Sequence, residues 1–154
     1  MFEVILFQPE NPPNAGNVIR LCANTGARLH LIEPLGFDMD DAKLRRAGMD
    51  YRDKATVEVH PDLESWHERT KASRVFALTV DGDALYSETS FGEGDAFLFG
   101  PESVGLPAEV TARSWITGRL RLPMVPGVRS INLSNAAAIV VYEAWRQTGF
   151  QGAR

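Results

Sequence analysis

Phe2–Glu33 reads FEVILFQPENPPNAGNVIRLCANTGARLHLIE, and this stretch decides the architecture. The apolar run Phe2–Gln8 stops at Pro9, which predicts a short buried strand. Asn14 is placed to cap a helix running from about Ala15 to Thr25, with Gly26 as its stop. Arg28–Glu33 reads as a second strand. A strand, a helix of this length and another strand form a βαβ unit, and such units build parallel sheets.

The same alternation continues outward. Asp40 is placed to cap a short basic helix, Asp41–Ala47. Thr56–His60 is a third strand. Pro61 to about Lys71 is a polar helix with Leu63, Trp66 and His67 on its inner side. Arg74–Thr79 is a fourth strand and Ala96–Phe99 a fifth, ending at Gly100. A short helix follows Pro107, Leu120–Leu122 is a sixth strand, and Asn132 to about Gln147 is the final helix. The expected fold is therefore α/β, a mostly parallel sheet flanked by helices in one domain over residues 1–154. The last helix is apolar nearly all round, whereas a surface helix shows a polar face. Burial against the sheet on one side and against a second copy of the chain on the other accounts for this. The run Ala136–Ala137–Ala138 would allow close backbone approach, so a homodimer is expected.

Composition narrows the function classes. The 154 residues carry 16 Lys plus Arg and 20 Asp plus Glu, a net charge of −4. That balance argues against a protein that coats nucleic acid non-specifically. The average hides an asymmetry: residues 103–154 hold six basic residues, all Arg, and two acidic ones. Arginine is the better residue for bidentate phosphate contacts. The single cysteine, Cys22, excludes an intrachain disulfide and a multi-cysteine metal site, and fits a reducing cytoplasm. No metal is expected. The N-terminus lacks the basic start of a secretory leader, and no run approaches the roughly 20 apolar residues of a membrane helix.

Three segments carry candidate chemistry. Asn11-Pro12-Pro13-Asn14-Ala15-Gly16-Asn17-Val18-Ile19-Arg20 ends the first strand and opens the first helix. A helix N-terminus offers free N–H groups and a favourable dipole to an anion, and Arg20 lies further along. Alternatively, Asn14 only caps and Arg20 is solvated. The second is Phe97-Leu98-Phe99-Gly100-Pro101-Glu102-Ser103-Val104-Gly105-Leu106-Pro107. It puts Glu102 at the carboxyl edge of the sheet, where open α/β sheets bind ligands. It contains neither a dinucleotide glycine fingerprint nor a phosphate-loop lysine. The third runs from Leu120 to Ala136, through a proline-rich loop into the last helix. Ser130, Asn132, Ser134 and Asn135 beside Arg129 exceed what one helix cap needs. A ligand site and a satisfied internal hydrogen-bond network are the two explanations.

In this order the three segments resemble the three motifs of the SPOUT methyltransferases, in the TrmH-like branch. The matches are the Asn-x-Gly-Asn-x-x-Arg loop, the Phe-Gly-Pro-Glu-x-x-Gly-Leu turn and the Pro-Met-x-Pro-x-x-Arg-Ser-x-Asn-Leu-Ser-Asn-Ala loop. Glu10–Asn14, Arg20–Gly26, Leu44–Gly48 and Val141–Gln147 are similar to the TrmL-like subgroup, tRNA 2′-O-methyltransferases of wobble position 34. That resemblance implies an α/β knot fold, in which the last segment threads a loop to form a deep trefoil knot. Pattern alone predicts an unknotted sheet. It also implies a homodimer, S-adenosylmethionine as methyl donor, S-adenosylhomocysteine as product, and a tRNA anticodon stem-loop, of leucine tRNAs, as partner. Methylation at another tRNA or rRNA position is the nearest alternative, and a catalytically silent RNA- or S-adenosylmethionine-binding dimer a second.

By motif position, the resemblance assigns the cofactor to Leu78, Gly100, Leu122 and Ser130. It assigns the chemistry to Arg20, with Asn14, Glu102, Ser130 and Asn132 orienting it and the ribose. Arg20 is either a base toward the 2′-hydroxyl or a clamp on phosphate and developing alkoxide. The second role is more economical, because arginine loses its proton only above about pH 12. Lys43, Arg45, Arg46 and Arg129 are the expected RNA contacts. Val104 stands where many relatives carry a basic residue, which removes one expected contact.

Overall fold

The structure, a computed structural model, describes residues 1–48, 51 and 54–154. Its elements follow in the order β1 (Glu3–Phe7), α1 (Pro12–Thr25), β2 (Arg28–Ile32), α2 (Ala42–Gly48), β3 (Thr56–His60), α3 (Leu63–Thr70) and β4 (Arg74–Leu78). They continue with β5 (Ala84–Leu85), β6 (Asp95–Phe99), α4 (Ala108–Thr111), β7 (Gly118–Arg121) and α5 (Leu133–Gln147). Seven strands form one sheet in the order β3-β2-β1-β6-β4-β7-β5, and every pairing between them is parallel. The expected mostly parallel sheet is thus present, with a two-residue edge strand, β5, added. Ala84–Leu85 is too short to show any alternation, so no period could announce it.

Two starts differ from the expected ones. Helix α1 begins at Pro12, with Asn11 in the N-cap position and prolines in the first turn. Proline suits that turn because it lacks the N–H that would find no partner there. Asn14, expected as the cap, lies inside the helix and is buried. At α2 the capping carboxylate is that of Asp41, not Asp40: its Oδ1 accepts from the Lys43 and Leu44 N–H groups at 2.7 and 3.3 Å.

The core lies on both faces of the sheet, because parallel strands are covered on both sides. On one face Val4, Leu6, Leu29, Leu31, Phe97 and Phe99 pack with α1 and α5. On the other, Ile5, Ile32, Val75 and Leu98 pack with Leu63, Trp66 and Val110. Leu63 and Trp66 occupy the inner side of α3 as expected, and His67 stacks on Trp115 with ring centroids 4.3 Å apart.

Helix α5 covers its own chain more completely than its sequence suggests. Leu133, Ala136, Ala137, Val140, Val141 and Ala144 are all buried within one chain. Ala136 and Ala137 are therefore consumed by intrachain packing and are not available for approach by a second copy. Ile139 and Tyr142 remain exposed, at 38% and 44%. Among the described residues, no helix is long and apolar enough to cross a membrane.

Candidate active site

The sheet order brings the carboxyl ends of β6, β4 and β7 side by side. Leu78, the last residue of β4, pairs with Phe99 on one side and Leu120 on the other. Gly100 follows Phe99 directly and Leu122 lies two residues after Leu120. Three of the four expected cofactor residues thus share one edge, where the topology of open α/β sheets leaves room for a ligand. Ser130, the fourth, is exposed in the loop that leads into α5.

Gly100 is required by the turn that follows it. A Cβ at Gly100 would collide with the backbone of Gly105 and Leu106, so the chain after β6 folds back directly over this position. Gly105 closes that turn with φ +70°, a left-handed conformation that favours glycine. The Gly105 N–H donates to the Pro101 carbonyl at 2.9 Å. The two glycines of this motif are therefore explained by backbone packing alone. What the turn achieves is to hold Glu102 in place.

Glu102 is laced to the start of α1. Its carboxylate accepts from the Glu10 and Asn11 backbone N–H groups at 3.0 and 2.7 Å. It also accepts from Asn14 Nδ2 at 3.3 Å. The lacing is reciprocal, since Glu10 Oε1 accepts from the Ser103 N–H at 3.0 Å and its hydroxyl at 2.7 Å. These bonds hold the Glu10 carboxyl below the usual carboxylate range. Pro12 and Pro13 bring no N–H to the first turn of α1, and the N–H groups just ahead of it are met by the protein's own carboxylate. An anion is indeed held at this helix start, and it is the Glu102 carboxylate.

Asn14 extends the network to the third segment. Asn132 Nδ2 donates to Asn14 Oδ1 at 3.0 Å. Asn132 is also the N-cap of α5: its Oδ1 accepts from the Ser134 N–H, the Ser134 hydroxyl and the Asn135 N–H, at 3.0, 2.7 and 3.3 Å. The polar cluster read from the sequence is thus partly a cap and partly a link to Asn14 and Glu102. One hydrogen-bonded chain, Glu102–Asn14–Asn132, joins all three segments.

Arg20 stands apart from this chain. It is exposed, two thirds along α1 and about 9 Å of helix rise beyond Asn14. Its guanidinium lies over the Tyr51 ring, 4.8 Å from the centroid. Residue spacing could not have named Tyr51, because 31 positions separate it from Arg20 and only tertiary packing brings the two together. Arg129 is exposed near the start of α5, and Lys43, Arg45 and Arg46 are exposed on α2, which packs against α1. Val104 is 79% exposed at the tip of the turn after β6.

Thr79 supplies an observation that sequence reasoning missed. It follows Leu78 at the shared strand edge, and its Oγ1 is buried without a hydrogen-bond partner among the described residues. Buried hydroxyls are normally paired, so an orphan at a strand edge marks a place where a ligand or water completes the pairing.

The chain is similar to known methyltransferases. The profile of the SpoU rRNA methylase family matches residues 1–142. A protein of Burkholderia ambifaria, the tRNA (cytidine(34)-2′-O)-methyltransferase, is 58% identical over 154 residues, covering 99% of each chain. A solved structure described as giving structural insights into the 2-OH methylation of C/U34 on tRNA superposes with a TM-score of 0.90. It is 45% identical and covers 98% of each chain. The SpoU methyltransferase AviRb of Streptomyces viridochromogenes, solved in complex with the cofactor AdoMet, superposes with a TM-score of 0.83. It is 26% identical, covering 99% of this chain and 58% of that one.

Proposed function

The chain belongs to the SpoU methylase family, and from that premise we propose that it methylates the ribose 2′-oxygen of nucleotide 34 in tRNA. The nucleotide is cytidine or a modified uridine. The observation that carries the reading is the convergence of the three segments: Glu102, Asn14 and Asn132 form one hydrogen-bonded chain beside the ends of β4, β6 and β7. The position within tRNA rests on full-length relatives that carry that name.

S-adenosylmethionine is the methyl donor in this reading, supported by the AdoMet complex of a fold neighbour. Its sulfonium supplies an electrophilic methyl carbon and a neutral thioether leaving group. The residues present fit it. The backbone at Leu78, Gly100 and Leu122 offers carbonyl and N–H groups along one edge, which can read an adenine edge without a particular side chain. Thr79 Oγ1 adds an unpartnered polar atom there. Ser130 is the fourth residue assigned to it.

The protein's work is then positioning and charge. Arg20 holds a phosphate next to the reacting ribose and stabilises the alkoxide that develops on the 2′-oxygen. The Tyr51 ring beneath its guanidinium steadies the side chain for that role. Glu102, Asn14 and Asn132 keep the three segments in register. Ser130, in the loop before α5, orients the ribose.

The separation of Arg20 from Glu102 and Asn132 within one chain supports a homodimer, in which Arg20 of one copy serves the strand edge of the other. The exposed Ile139 and Tyr142 of α5 are suited to that contact. Residues 1–154 act as one catalytic domain, with the segment after β7 threaded as a trefoil knot. Lys43, Arg45, Arg46 and Arg129 contact RNA phosphates, so affinity falls with salt. Methyl transfer to tRNA lacking the modification, followed by mapping of the methylated atom, tests the reading.

A further inference from the structure

On the opposite face of the sheet, under α3, lies a polar cluster that the methyl-transfer reading does not use. Strand register puts His30 beside Glu58, and His60 follows two residues later on β3. Glu3, His30 and His60 are each no more than 2% exposed. His30 Nδ1 and His60 Nε2 face each other at 3.0 Å. A carboxylate oxygen of Glu58 lies 4.0 Å from His60 Nε2. One donor atom from each of His30, Glu58 and His60 falls within 4.8 Å of the other two.

We propose that His30, His60 and Glu58 form a binding site for a divalent transition-metal ion of the zinc class, remote from the methyl-transfer site. Two imidazoles and one carboxylate are a donor set that zinc takes with a fourth, open position. Zinc–nitrogen bonds of about 2.0–2.1 Å separate tetrahedral ligand atoms by about 3.3 Å, close to the spacing of the two rings. Glu58 is only partly buried, which leaves its carboxylate free to swing the remaining distance.

The surroundings follow the pattern of a metal site. His30 uses its other nitrogen, Nε2, against Glu3 Oε2 at 2.7 Å. An ionised carboxylate only accepts, so Nε2 carries a proton, and in the neutral ring that can ligate a metal Nδ1 presents its lone pair toward His60. This carboxylate–histidine pairing is how metal-bound imidazoles are oriented. Arg28 in turn pairs with Glu3. The ion takes the place of the proton that otherwise bridges the two rings. That proton moves to His60 Nδ1, the other ring nitrogen. A hollow of about 170 Å³ lined by Arg28, His30, Glu58, Arg69 and Thr70 gives access and room for the fourth ligand. Arg69 opposes a cation there, so its removal should tighten binding.

The sequence could not announce this site. His30 and His60 are separated by 30 residues and fall on two strands, and only the parallel register of β2 with β3 brings them together.

The test is a Co²⁺ titration of the full chain without a polyhistidine tag, read by visible absorption, and then Zn²⁺ competition against a chromophoric chelator. One equivalent per chain with the intense bands of a low-coordinate site is expected. Glu58→Gln, at a partly exposed position, should weaken Zn²⁺ binding at least about tenfold, and Glu3→Gln about 10–100-fold. Arg69→Gln should strengthen it. Circular dichroism of each variant establishes that the fold is kept. Failure of the parent chain to take up one equivalent of either ion overturns the proposal. So does a folded Glu58→Gln variant that binds as tightly as the parent.

Discussion

The side-chain amide of Asn132 donates to Asn14 Oδ1 at 3.0 Å, tying together residues 118 positions apart. Each residue also makes a second connection, since Asn14 donates to Glu102 and Asn132 caps α5. A single amide at position 14 therefore holds the start of α1, the turn after β6 and the start of α5 in one arrangement.

Replacing that amide should be costly. Asn14→Ala removes the buried amide that pairs with both Glu102 and Asn132, two part-buried hydrogen bonds whose loss costs about 1–3 kcal/mol. The urea midpoint should fall accordingly, and methyl transfer should fall further than stability alone explains. Asn14→Asp should be worse for turnover, because it sets a second carboxylate against Glu102. An Asn14→Ala variant with parental stability and rate would mean that the three segments are positioned by other contacts.

Gly100→Ala tests the strand edge. The new Cβ meets the backbone of Gly105 and Leu106, which cannot swing away as a side chain could. Overpacking of this kind costs about 1–3 kcal/mol. The turn carrying Glu102 must shift, so calorimetric binding of S-adenosylmethionine should weaken together with the melting temperature. Unchanged cofactor affinity would separate this turn from the cofactor site.

Arg20 should affect turnover without affecting cofactor affinity. Arg20→Ala removes the charge that stabilises the developing alkoxide, a loss of about 10²–10³ in rate. Arg20→Lys keeps the charge and loses the planar fork, so it should restore only part of that rate. A lysine variant at near-parental rate would count against both the bidentate and the base versions of that role.

Cys22 should be inert. Burial, aided by the nearby Glu3 charge, pushes its thiol up to about 12. At about pH 8 almost none is thiolate, and thiolate is the reactive form. A chromogenic disulfide reagent should react with the unfolded chain and leave the folded one untouched. Rapid reaction of the folded protein would show that the packing of α1 on the sheet opens readily.

The elements were legible where periodicity is strong. Thr56–His60 and the inner positions of α3, Leu63 and Trp66, stand where the sequence put them. The start of α1 lies earlier than Asn14, which has the residue type of a cap, because Asn11 and the two prolines after it set the first turn. The convergence of Glu102, Asn14 and Asn132 was expected from motif resemblance, but their bonding depends on sheet order, which places β6 between β1 and β4. Tyr51 beneath Arg20, the orphan hydroxyl of Thr79 and the His30–His60 pair were not legible. Each comes from contact between elements that no local pattern specifies.

The most direct test of the account is methyl transfer from labelled S-adenosylmethionine to tRNA that lacks the modification, with the methylated atom mapped. One methyl group on the ribose 2′-oxygen of nucleotide 34 is the expected result. Absence of transfer by protein that binds the cofactor would contradict it, as would a methyl group found on a base or at another position.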